Sequence, residues 1–273
     1  MSSQSVYTAT LVHSRALETV INNEPNITIE EKDIDPDVRM GEIEHSIQVP
    51  LPSYLQQTYW WAYLHPMAVR IFERQWLVNL ILWGNFARLR DLTLDELGSS
   101  IYGSVLQIAC VYGNFTELLL QRLNGQAQLA VVDVAEVQLE NLRSKLIDSS
   151  RVVLYHQDST DLKFPDAHFD SVVLFFLLHE QPEIVRIETI AQALRVAKPG
   201  GTVICVDYHR PSLINPFRYL MVPILATLEP FAMDLWRQDI IDWLPDIIRN
   251  TVTLEKKTYF GGLYQKVVIK KSD

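Results

Sequence analysis

Val105-Leu-Gln-Ile-Ala-Cys-Val-Tyr-Gly113 is the stretch that decides the fold. An apolar strand runs into a short turn, and residues 115–123 then have the pattern of a helix. Strand, tight turn and helix make the opening unit of an open α/β sheet, in which ligands bind at the carboxyl end of the strand. The stretch occupies the place of a nucleotide-cofactor loop, yet it lacks most of the glycines and the acidic residue of such loops.

Strands and helices alternate after this unit. The apolar pattern predicts strands at 129–133, 152–156, 169–177 and 202–208, with helices at 135–147 and 184–197. Because single helices separate these strands, we expect parallel pairing with right-handed crossovers. Phe260-Gly-Gly262 joins two further apolar segments, which predicts an antiparallel hairpin at 252–259 and 263–270. The expected fold is α/β and Rossmann-like, a mostly parallel sheet finished by an antiparallel C-terminal hairpin.

Charge and cysteine content exclude several classes of protein. The net charge is −9, and residues 18–44 carry −7 of it through nine acidic and two basic residues, so only −2 remains for the rest of the chain. That balance gives no surface for nucleic acid. Cys110 and Cys205 both fall in apolar strands or at their ends, which predicts buried free thiols and no disulfide or zinc framework.

Composition divides the 273 residues into three parts. Residues 1–48 are polar and acidic, which predicts a disordered or loosely docked extension, although a weak targeting segment also fits its start. Residues 49–98 form an aromatic helical cap, and residues 99–273 form the α/β domain with an apolar lid insertion near 211–236. The apolar run 76–87 is shorter than the ~20 residues of a membrane span. It fits either packing on the α/β domain or seating at a peripheral membrane surface.

Two acidic residues follow successive strands at the expected ligand edge. Asp133 ends the second strand, and Asp158 with Ser159 follows the third. With Leu194-Arg-Val-Ala-Lys-Pro-Gly-Gly-Thr202, these positions resemble class I S-adenosylmethionine-dependent methyltransferases over roughly residues 100–270. The resemblance implies that Asp133 binds the ribose hydroxyls of S-adenosylmethionine and that Asp158 and Ser159 contact its adenine. Without a ligand, Asp133 is explained as a helix N-cap and Asp158 as part of a surface turn.

The cofactor loop itself departs from that family's Asp/Glu-x-Gly-x-Gly-x-Gly pattern. The corresponding positions are Gln107, Ala109, Val111 and Gly113, so only the last glycine is kept. The resemblance places all four at the cofactor.

A more specific resemblance rests on four stretches of sequence. They are Gln107-Ile-Ala-Cys-Val-Tyr-Gly113, Thr58-Tyr-Trp-Trp-Ala-Tyr-Leu-His-Pro66, the segment 72–86 and Met233-Asp-Leu-Trp-Arg237. Together they resemble the RquA family of rhodoquinone-biosynthesis proteins from about Val49 to the C terminus. The resemblance implies that a methoxy group of ubiquinone is replaced by an amino group, with S-adenosylmethionine as the amino donor and Mn²⁺ as the metal. Anaerobic respiration is the implied context.

The altered loop suggests a reason for such chemistry. A neutral Gln107 removes a negative charge from the methionine end of the cofactor, and we hypothesise that this favours the nucleophilic neutral amine. Tyr112 is predicted either to hydrogen-bond the cofactor or quinone or to pack over the loop. His179-Glu180 is the leading candidate for a catalytic base or metal ligand, and Asp207-Tyr208-His209 follows the next strand at the same edge. The metal ligands are unassigned.

Three functions are compatible with these features. They are quinone amino transfer, methyl transfer to a quinone or lipid, and a non-catalytic scaffold in a quinone-synthesis complex, against which the retained Asp133 and Asp158 speak. The isoprenoid tail of ubiquinone predicts access from a bilayer, and Pro223 and Pro230 in the lid argue against a spanning helix. The expected location is the matrix face of the mitochondrial inner membrane in a eukaryote, or the cytoplasmic face of the inner membrane in a bacterium.

Overall fold

An eight-stranded sheet lies at the centre of the protein. The computed structural model describes residues 43–44, 49–146 and 150–273. The strands are β1 Ile43–Glu44, β2 Ser104–Ile108, β3 Gln128–Asp133, β4 Val152–His156, β5 Phe169–Phe175, β6 Ala197–Tyr208, β7 Val252–Tyr259 and β8 Tyr264–Lys271. Their spatial order is β1-β4-β3-β2-β5-β6-β8-β7. β1 to β6 pair in parallel, and β8 is antiparallel to both β6 and β7. The predicted fold class is confirmed.

Helices cover the sheet and carry the cap and lid. They are α1 Pro66–Phe72, α2 Gln75–Ile81, α3 Phe86–Leu97, α4 Phe115–Arg122, α5 Glu136–Lys145, α6 Glu183–Val196, α7 Phe217–Leu228 and α8 Asp246–Arg249. A π-helix spans Leu55–Leu64, and 3₁₀ segments span Leu178–Glu180, Pro230–Trp236 and Ile240–Trp243. Four consecutive residues of β2, Val105 to Ile108, are fully buried. This burial on both faces is why the strand reads as a continuous apolar run.

The N-terminal part of the chain contributes to the sheet. Ile43 pairs with Leu154 and Glu44 with Tyr155, so β1 forms a parallel edge strand beside β4. Residues 1–48 are predicted to be a disordered or loosely docked extension, and this pair of residues docks on the sheet. The rest of that segment, including the predicted targeting peptide, lies outside the described residues.

The apolar run 76–87 is not one helix. α2 ends at Ile81 and α3 begins at Phe86, because Trp83 and Gly84 both adopt positive φ, of 52° and 76°. Asn85 holds the turn by donating from Nδ2 to the carbonyl oxygen of Trp83 at 2.9 Å. Among the described residues, no helix is both long and apolar enough to cross a membrane.

The lid insertion packs on the cap. α7 contains Pro223 and is followed directly by the 3₁₀ segment Pro230–Trp236. The rings of Trp83 and Phe217 meet edge to face with centroids 4.9 Å apart, and Trp83 Nε1 donates to the sulfur of Met221 at 3.0 Å. These contacts connect the turn between α2 and α3 to the start of the lid.

The loop after β2 contains two residues in the left-handed region of backbone space. Ala109 has a φ of 72° and Gly113 a φ of 79°. Glycine adopts this conformation without steric cost, whereas an L-residue there is strained by about 1–2 kcal/mol. A Cβ at Gly113 would also lie 3.0 Å from the ring of Phe86. The chain thus keeps a glycine where space is limiting and tolerates alanine where only φ is unfavourable.

These two positions predict opposite effects of exchanging glycine and alanine. Ala109→Gly should raise the free energy of unfolding by up to about 1 kcal/mol, because relief of strain exceeds the entropy that glycine adds to the unfolded chain. Gly113→Ala should lower it by about 1–3 kcal/mol through strain and contact with Phe86. Urea unfolding of both variants measures this, and effects of the same sign would contradict the analysis.

Candidate active site

A cavity of about 620 Å³, about half of whose lining residues are polar, opens at the carboxyl ends of β2, β3 and β4. Four residues expected at the cofactor line it: Ala109, Asp133, Asp158 and Ser159. The other lining residues are Tyr54, Leu55, Ile108, Cys110, Val132, Val134, Ala135, Gln138, Gln157, Phe176, Leu177, Glu180 and Gln181. The cavity lies at the edge of the sheet where parallel α/β folds bind ligands.

Asp133 connects the ends of β2 and β3 at the floor of this cavity. Its Oδ2 accepts from the backbone N–H of Cys110 at 2.7 Å, and its Oδ1 accepts from that of Ala135 at 2.8 Å. Burial raises the pKa of Asp133, and the two N–H donors oppose that rise. Each carboxylate oxygen keeps a second lone pair toward the cavity, so the N-cap-like contact with Ala135 and the binding of hydroxyl groups are compatible.

The far end of the cavity is organised by short side chains. Asp158 Oδ1 accepts from both the backbone N–H and the hydroxyl of Thr160, each at 2.8 Å. The Ser159 hydroxyl lies 2.8 Å from that of Thr189, and Gln181 Nε2 donates to Ser159 Oγ at 3.1 Å. The turn expected for Asp158 is present, and it brings the carboxylate to the cavity wall.

Gln107 lies behind the loop and does not line the cavity. Its side chain is fully buried, Nε2 donates to the carbonyl oxygen of Ala109 at 3.0 Å, and Oε1 accepts from the hydroxyl of Thr116 at 3.0 Å. The residue therefore braces the loop against α4, and its amide is used internally. The predicted position of Gln107 at the cofactor therefore does not extend to its side chain lining the cavity, whereas the hypothesis that a neutral residue here removes a negative charge stays a prediction.

A second cavity of about 740 Å³ adjoins the first and is mostly apolar. Cys110, Phe176 and Glu180 line both cavities. The remaining walls of the second are Trp61, Ala62, Phe72, Val78, Ile81, Leu82, Phe86, Val111, Tyr112, Phe175, His179, Tyr208 and Glu229. The cap supplies its outer wall and the lid supplies Glu229, so both predicted insertions contribute to a site for an apolar molecule.

Val111 and Tyr112 face this second cavity and not the cofactor pocket. The hydroxyl of Tyr112 donates to the carbonyl oxygen of Ala62 at 2.8 Å and accepts from Gln138 Nε2 at 2.7 Å. Its ring stacks on Phe72 with centroids 6.0 Å apart. Tyr112 thus joins the π-helix to α5 and presents its ring as a cavity wall, as the packing interpretation expects.

Gly113 is held by an ion pair that sequence analysis missed. Its N–H donates to Glu73 Oε1 at 3.0 Å, and Lys145 Nζ bonds both that oxygen at 2.7 Å and the carbonyl oxygen of Gly113 at 2.9 Å. Both charged side chains are largely buried. Glu73 directly follows α1 of the cap, and Lys145 is the last residue of α5. The loop after β2 is therefore bonded both to the cap and to the α/β domain.

His179 lies on the wall of the second cavity, above Asp207. Its Nδ1 is 3.0 Å from Asp207 Oδ1, an ion-pair contact whose angles fall short of an aligned hydrogen bond. Nε2 lies 3.7 Å from Glu180 Oε1. Burial opposes the charge of the imidazole, but Asp207, with Glu229 and Glu180, raises the pKa of His179 to about 9. These carboxylates favour the imidazolium form of His179.

Glu229 is the acidic wall residue that sequence analysis overlooked. It follows α7 within an otherwise apolar stretch, between Leu228 and Pro230, and that context is the signal that could have identified it. Burial raises the pKa of Glu229, whereas His179 and the hydroxyl of Tyr59 lower it. His209, by contrast, lines neither cavity, because its Nδ1 lies 2.8 Å from the carbonyl oxygen of Gly262.

Arg186 fixes the segment that carries His179. The fully buried guanidinium donates from Nε to the carbonyl oxygen of Leu178 at 2.8 Å and from Nη2 to those of Gln181 at 2.8 Å and Phe231 at 3.0 Å. It also lies over the ring of Trp243 at 4.3 Å. The 3₁₀ turn Leu178–Glu180 and the lid therefore share one cationic anchor.

The described residues contain no preformed set of metal ligands. Within residues 43–44, 49–146 and 150–273, no group of three or more His, Cys, Asp or Glu side chains is arranged to hold a metal ion. The described residues thus do not fit the Mn²⁺ that the RquA resemblance implies.

Part of this chain matches a known protein family, and several known proteins are similar to it in sequence. Residues 105–201 match the family described as "Methyltransferase domain". A demethylmenaquinone methyltransferase of Bacillus licheniformis is 24% identical over 190 residues, 68% of this chain and 81% of the relative. The ubiquinone/menaquinone biosynthesis C-methyltransferase UbiE of Pseudomonas paraeruginosa is 28% identical over 56% of this chain and 62% of the relative. A Staphylococcus aureus demethylmenaquinone methyltransferase is 28% identical, and the chain spans 56% of its length.

Solved structures agree on the fold. An O-methyltransferase family protein of Burkholderia thailandensis superposes with a TM-score of 0.56 at 15% identity, covering 77% of this chain and 62% of that one. The N-methyltransferase NodS of Bradyrhizobium japonicum in complex with S-adenosylhomocysteine gives 0.52 at 14% identity, covering 78% and 100%. The chain therefore has the fold of class I S-adenosylmethionine-dependent methyltransferases, and it is similar in sequence to a methyltransferase domain over residues 105–201 and to quinone C-methyltransferases.

Proposed function

We propose that the protein is an S-adenosylmethionine-dependent transferase that acts on a ubiquinone ring and replaces a methoxy group by an amino group, in rhodoquinone biosynthesis. One observation carries the proposal: the candidate cofactor cavity and the apolar cavity share the walls Cys110, Phe176 and Glu180. Two reactants in these cavities meet at those walls. The RquA resemblance of the loop, cap and lid sequences supports amino transfer, and the quinone methyltransferases among the relatives support a quinone substrate.

Residues of the first cavity have binding roles in this proposal. Asp133 accepts hydrogen bonds from the ribose hydroxyls, and Asp158 with Ser159 contacts the adenine. The cofactor supplies either the methyl group of its sulfonium or the nitrogen of its amino group, and the proposed reaction uses the nitrogen. Ala109, next to Asp133 at the end of β2, leaves the loop backbone close to the bound molecule.

In this proposal Glu180, at the shared wall, and His179, in the second cavity, supply the hydrogen bond and the proton transfer that the reaction needs. A nitrogen nucleophile that adds to the ring carbon bearing the methoxy group places negative charge on a ring carbonyl oxygen. The His179 imidazolium donates a hydrogen bond to that oxygen, and Glu180 accepts the proton that the nitrogen loses. The charge then returns to the ring as the C–O bond breaks, and the methoxy group takes up the proton held by Glu180 and leaves as methanol. The bond between the nitrogen and the α-carbon of the methionine moiety would then break by elimination: a hydrogen on the adjacent β-carbon is lost as a proton, the nitrogen takes up a proton, and the aminoquinone is released with an α,β-unsaturated cofactor fragment as the second product.

Substrate delivery from a bilayer follows from the surface around the second cavity. None of the residues of α2 is buried, and its large apolar side chains Trp76, Leu80 and Ile81 are exposed. Ile81 also lines the second cavity. Exposed Arg70 and Arg74 precede this helix. An apolar helix beside cationic residues suits the boundary of an anionic lipid layer. We place the protein peripherally, on the matrix face of the mitochondrial inner membrane or on the cytoplasmic face of a bacterial inner membrane.

Methyl transfer to a quinone is the second candidate function. The names of the relatives favour it, since they are quinone methyltransferases. It needs the same two cavities and differs only in which group of the cofactor faces the ring. A scaffold without catalysis needs neither cavity.

Incubation of the purified protein with a short-chain ubiquinone, Mn²⁺ and S-adenosylmethionine labelled with nitrogen-15 at the amino group tests the reaction. We expect a nitrogen-15-labelled aminoquinone in the mass spectrum. Reactions with and without a chelator show whether the metal is needed. Replacing Asp133 by Ala is the matched control, because loss of the ribose contacts should weaken cofactor binding measured by calorimetry and lower product formation together.

Other products of the same incubation would select the other functions. A methylated quinone with S-adenosylhomocysteine would assign methyl transfer. Absence of cofactor binding in calorimetry would assign the scaffold role. Either result contradicts amino transfer.

The raised pKa of His179 predicts an alkaline limit to activity. Turnover should fall as pH rises through about 9, where the imidazolium loses its proton. His179→Gln should lower turnover by about 10²–10⁴-fold and remove this limit. The pKa of His179 is higher in the folded protein, about 9, than the 6.5 of an unperturbed histidine. Protonation of His179 therefore stabilises the fold fully below about pH 6.5, and this stabilisation is lost as the pH rises through about 9. A wild-type profile that stays flat to pH 10 would exclude His179 as the proton donor.

Vesicle sedimentation tests the membrane surface. Leu80→Ser should weaken binding to phosphatidylglycerol-containing vesicles by about tenfold or more, since a buried leucine side chain contributes about 1.5–3 kcal/mol. Ile184→Ser on α6 is the matched control, because Leu80 and Ile184 are similarly exposed, at 62% and 68%. Equal binding of the two variants, or no binding by the wild type, would contradict the proposal.

A further inference from the structure

Glu229 is a buried acid at the apolar cavity with a carboxyl oxygen that the protein leaves unused. Oε2 has no accessible surface and no hydrogen-bond partner among the described residues. The side chain nevertheless forms part of the cavity wall, together with His179 and Tyr208. Protein interiors satisfy nearly all buried polar atoms, and an exception at a cavity wall indicates a missing ligand atom.

The surroundings of Glu229 favour a donor over an anion. Phe86, Phe175 and Phe176 supply much of the cavity wall, and the Tyr59 hydroxyl is the hydrogen-bonding neighbour of the carboxyl. Burial raises the pKa of Glu229 even though His179 and the Tyr59 hydroxyl oppose the rise, so the protonated acid is more favoured than in an exposed glutamate. A protonated carboxyl carries one O–H donor, which needs an acceptor.

The position of Glu229 relative to His179 is fixed by the backbone. Arg186 donates to the carbonyl oxygens of Leu178 and Phe231, which lie one residue before His179 and two residues after Glu229. The amide N–H of Ala232 donates to the carbonyl oxygen of Glu229 at 2.9 Å and closes the turn at the end of α7. Two potential donors therefore face one cavity with a set separation.

We propose that Glu229, as a neutral acid, and His179 form a two-point subsite for a ring with two carbonyl oxygens, in which each side chain donates to one oxygen. The inference rests on the proposed function in taking a quinone as the substrate. It adds a specificity determinant: the subsite selects dioxo rings over rings of the same size without acceptor oxygens. The proposed transfer uses the oxygen at His179, and Glu229 orients the ring.

Binding of a short-chain ubiquinone, measured through quenching of tryptophan fluorescence, tests this subsite without requiring turnover. Trp61 lines the cavity and reports its occupancy. Glu229→Gln keeps a donor and should bind the quinone within about threefold of the wild type. Glu229→Leu removes it and should bind about tenfold more weakly. A trimethoxytoluene derivative with the same tail lacks both carbonyl oxygens and should bind all three proteins equally.

Three outcomes would overturn the inference, and they can be told apart from failure of the proposed function. If the wild type binds no quinone, the substrate class is wrong and the subsite falls with it. If Glu229→Leu binds the quinone as well as the wild type does, the subsite is wrong while the quinone proposal stands. If Glu229→Gln binds as weakly as Glu229→Leu, the donor assignment is wrong. Glu188→Leu, at an exposed glutamate of α6, controls for loss of charge.

Discussion

The carboxylate of Asp133 is the contact on which the ligand-binding edge of this protein depends. Two parallel strands, β2 and β3, end side by side, and the loops that follow them must separate to leave a crevice. Asp133 spans that point by accepting one backbone N–H from Cys110 and one from Ala135. The loop after β2 is thereby pulled toward β3, and the strained φ of Ala109 is held in place. This contact positions the loop after β2, whose residue Cys110 lines both cavities.

Much of the fold was predictable because it follows local rules. β4 and β7 have the predicted bounds, and α4 and α6 agree to within one residue at each end. Strands buried on both faces give continuous apolar runs in the sequence, and a Gly-Gly pair between two predicted strands predicts a hairpin. The apolar run 76–87 was harder, since nothing in its composition shows that Trp83 takes a positive φ and divides it into α2 and α3.

The site was predictable only in part, and the reason is physical. Asp133 and Asp158 follow strands, and strand ends converge at one edge, so their placement at the cofactor cavity could be inferred from order alone. Glu73 and Arg186 act through contacts between residues distant in sequence, for which no local pattern exists. Gln107 illustrates a different limit: its motif position places it next to the cofactor loop, but only the structure shows that its buried amide bonds Ala109 and Thr116.

Cys110 has a consequence for the chemical durability of the site. Its side chain borders both cavities, so a quinone in the second cavity would lie beside a sulfur atom. Quinones are electrophiles, and the nucleophile that adds to them is a thiolate and not a thiol. Burial, reinforced by the neighbouring Asp133, raises the pKa of Cys110 well above its ordinary value and keeps the sulfur protonated. The same carboxylate that shapes the crevice thus also favours the protonated thiol, which would not add to a quinone bound in the second cavity.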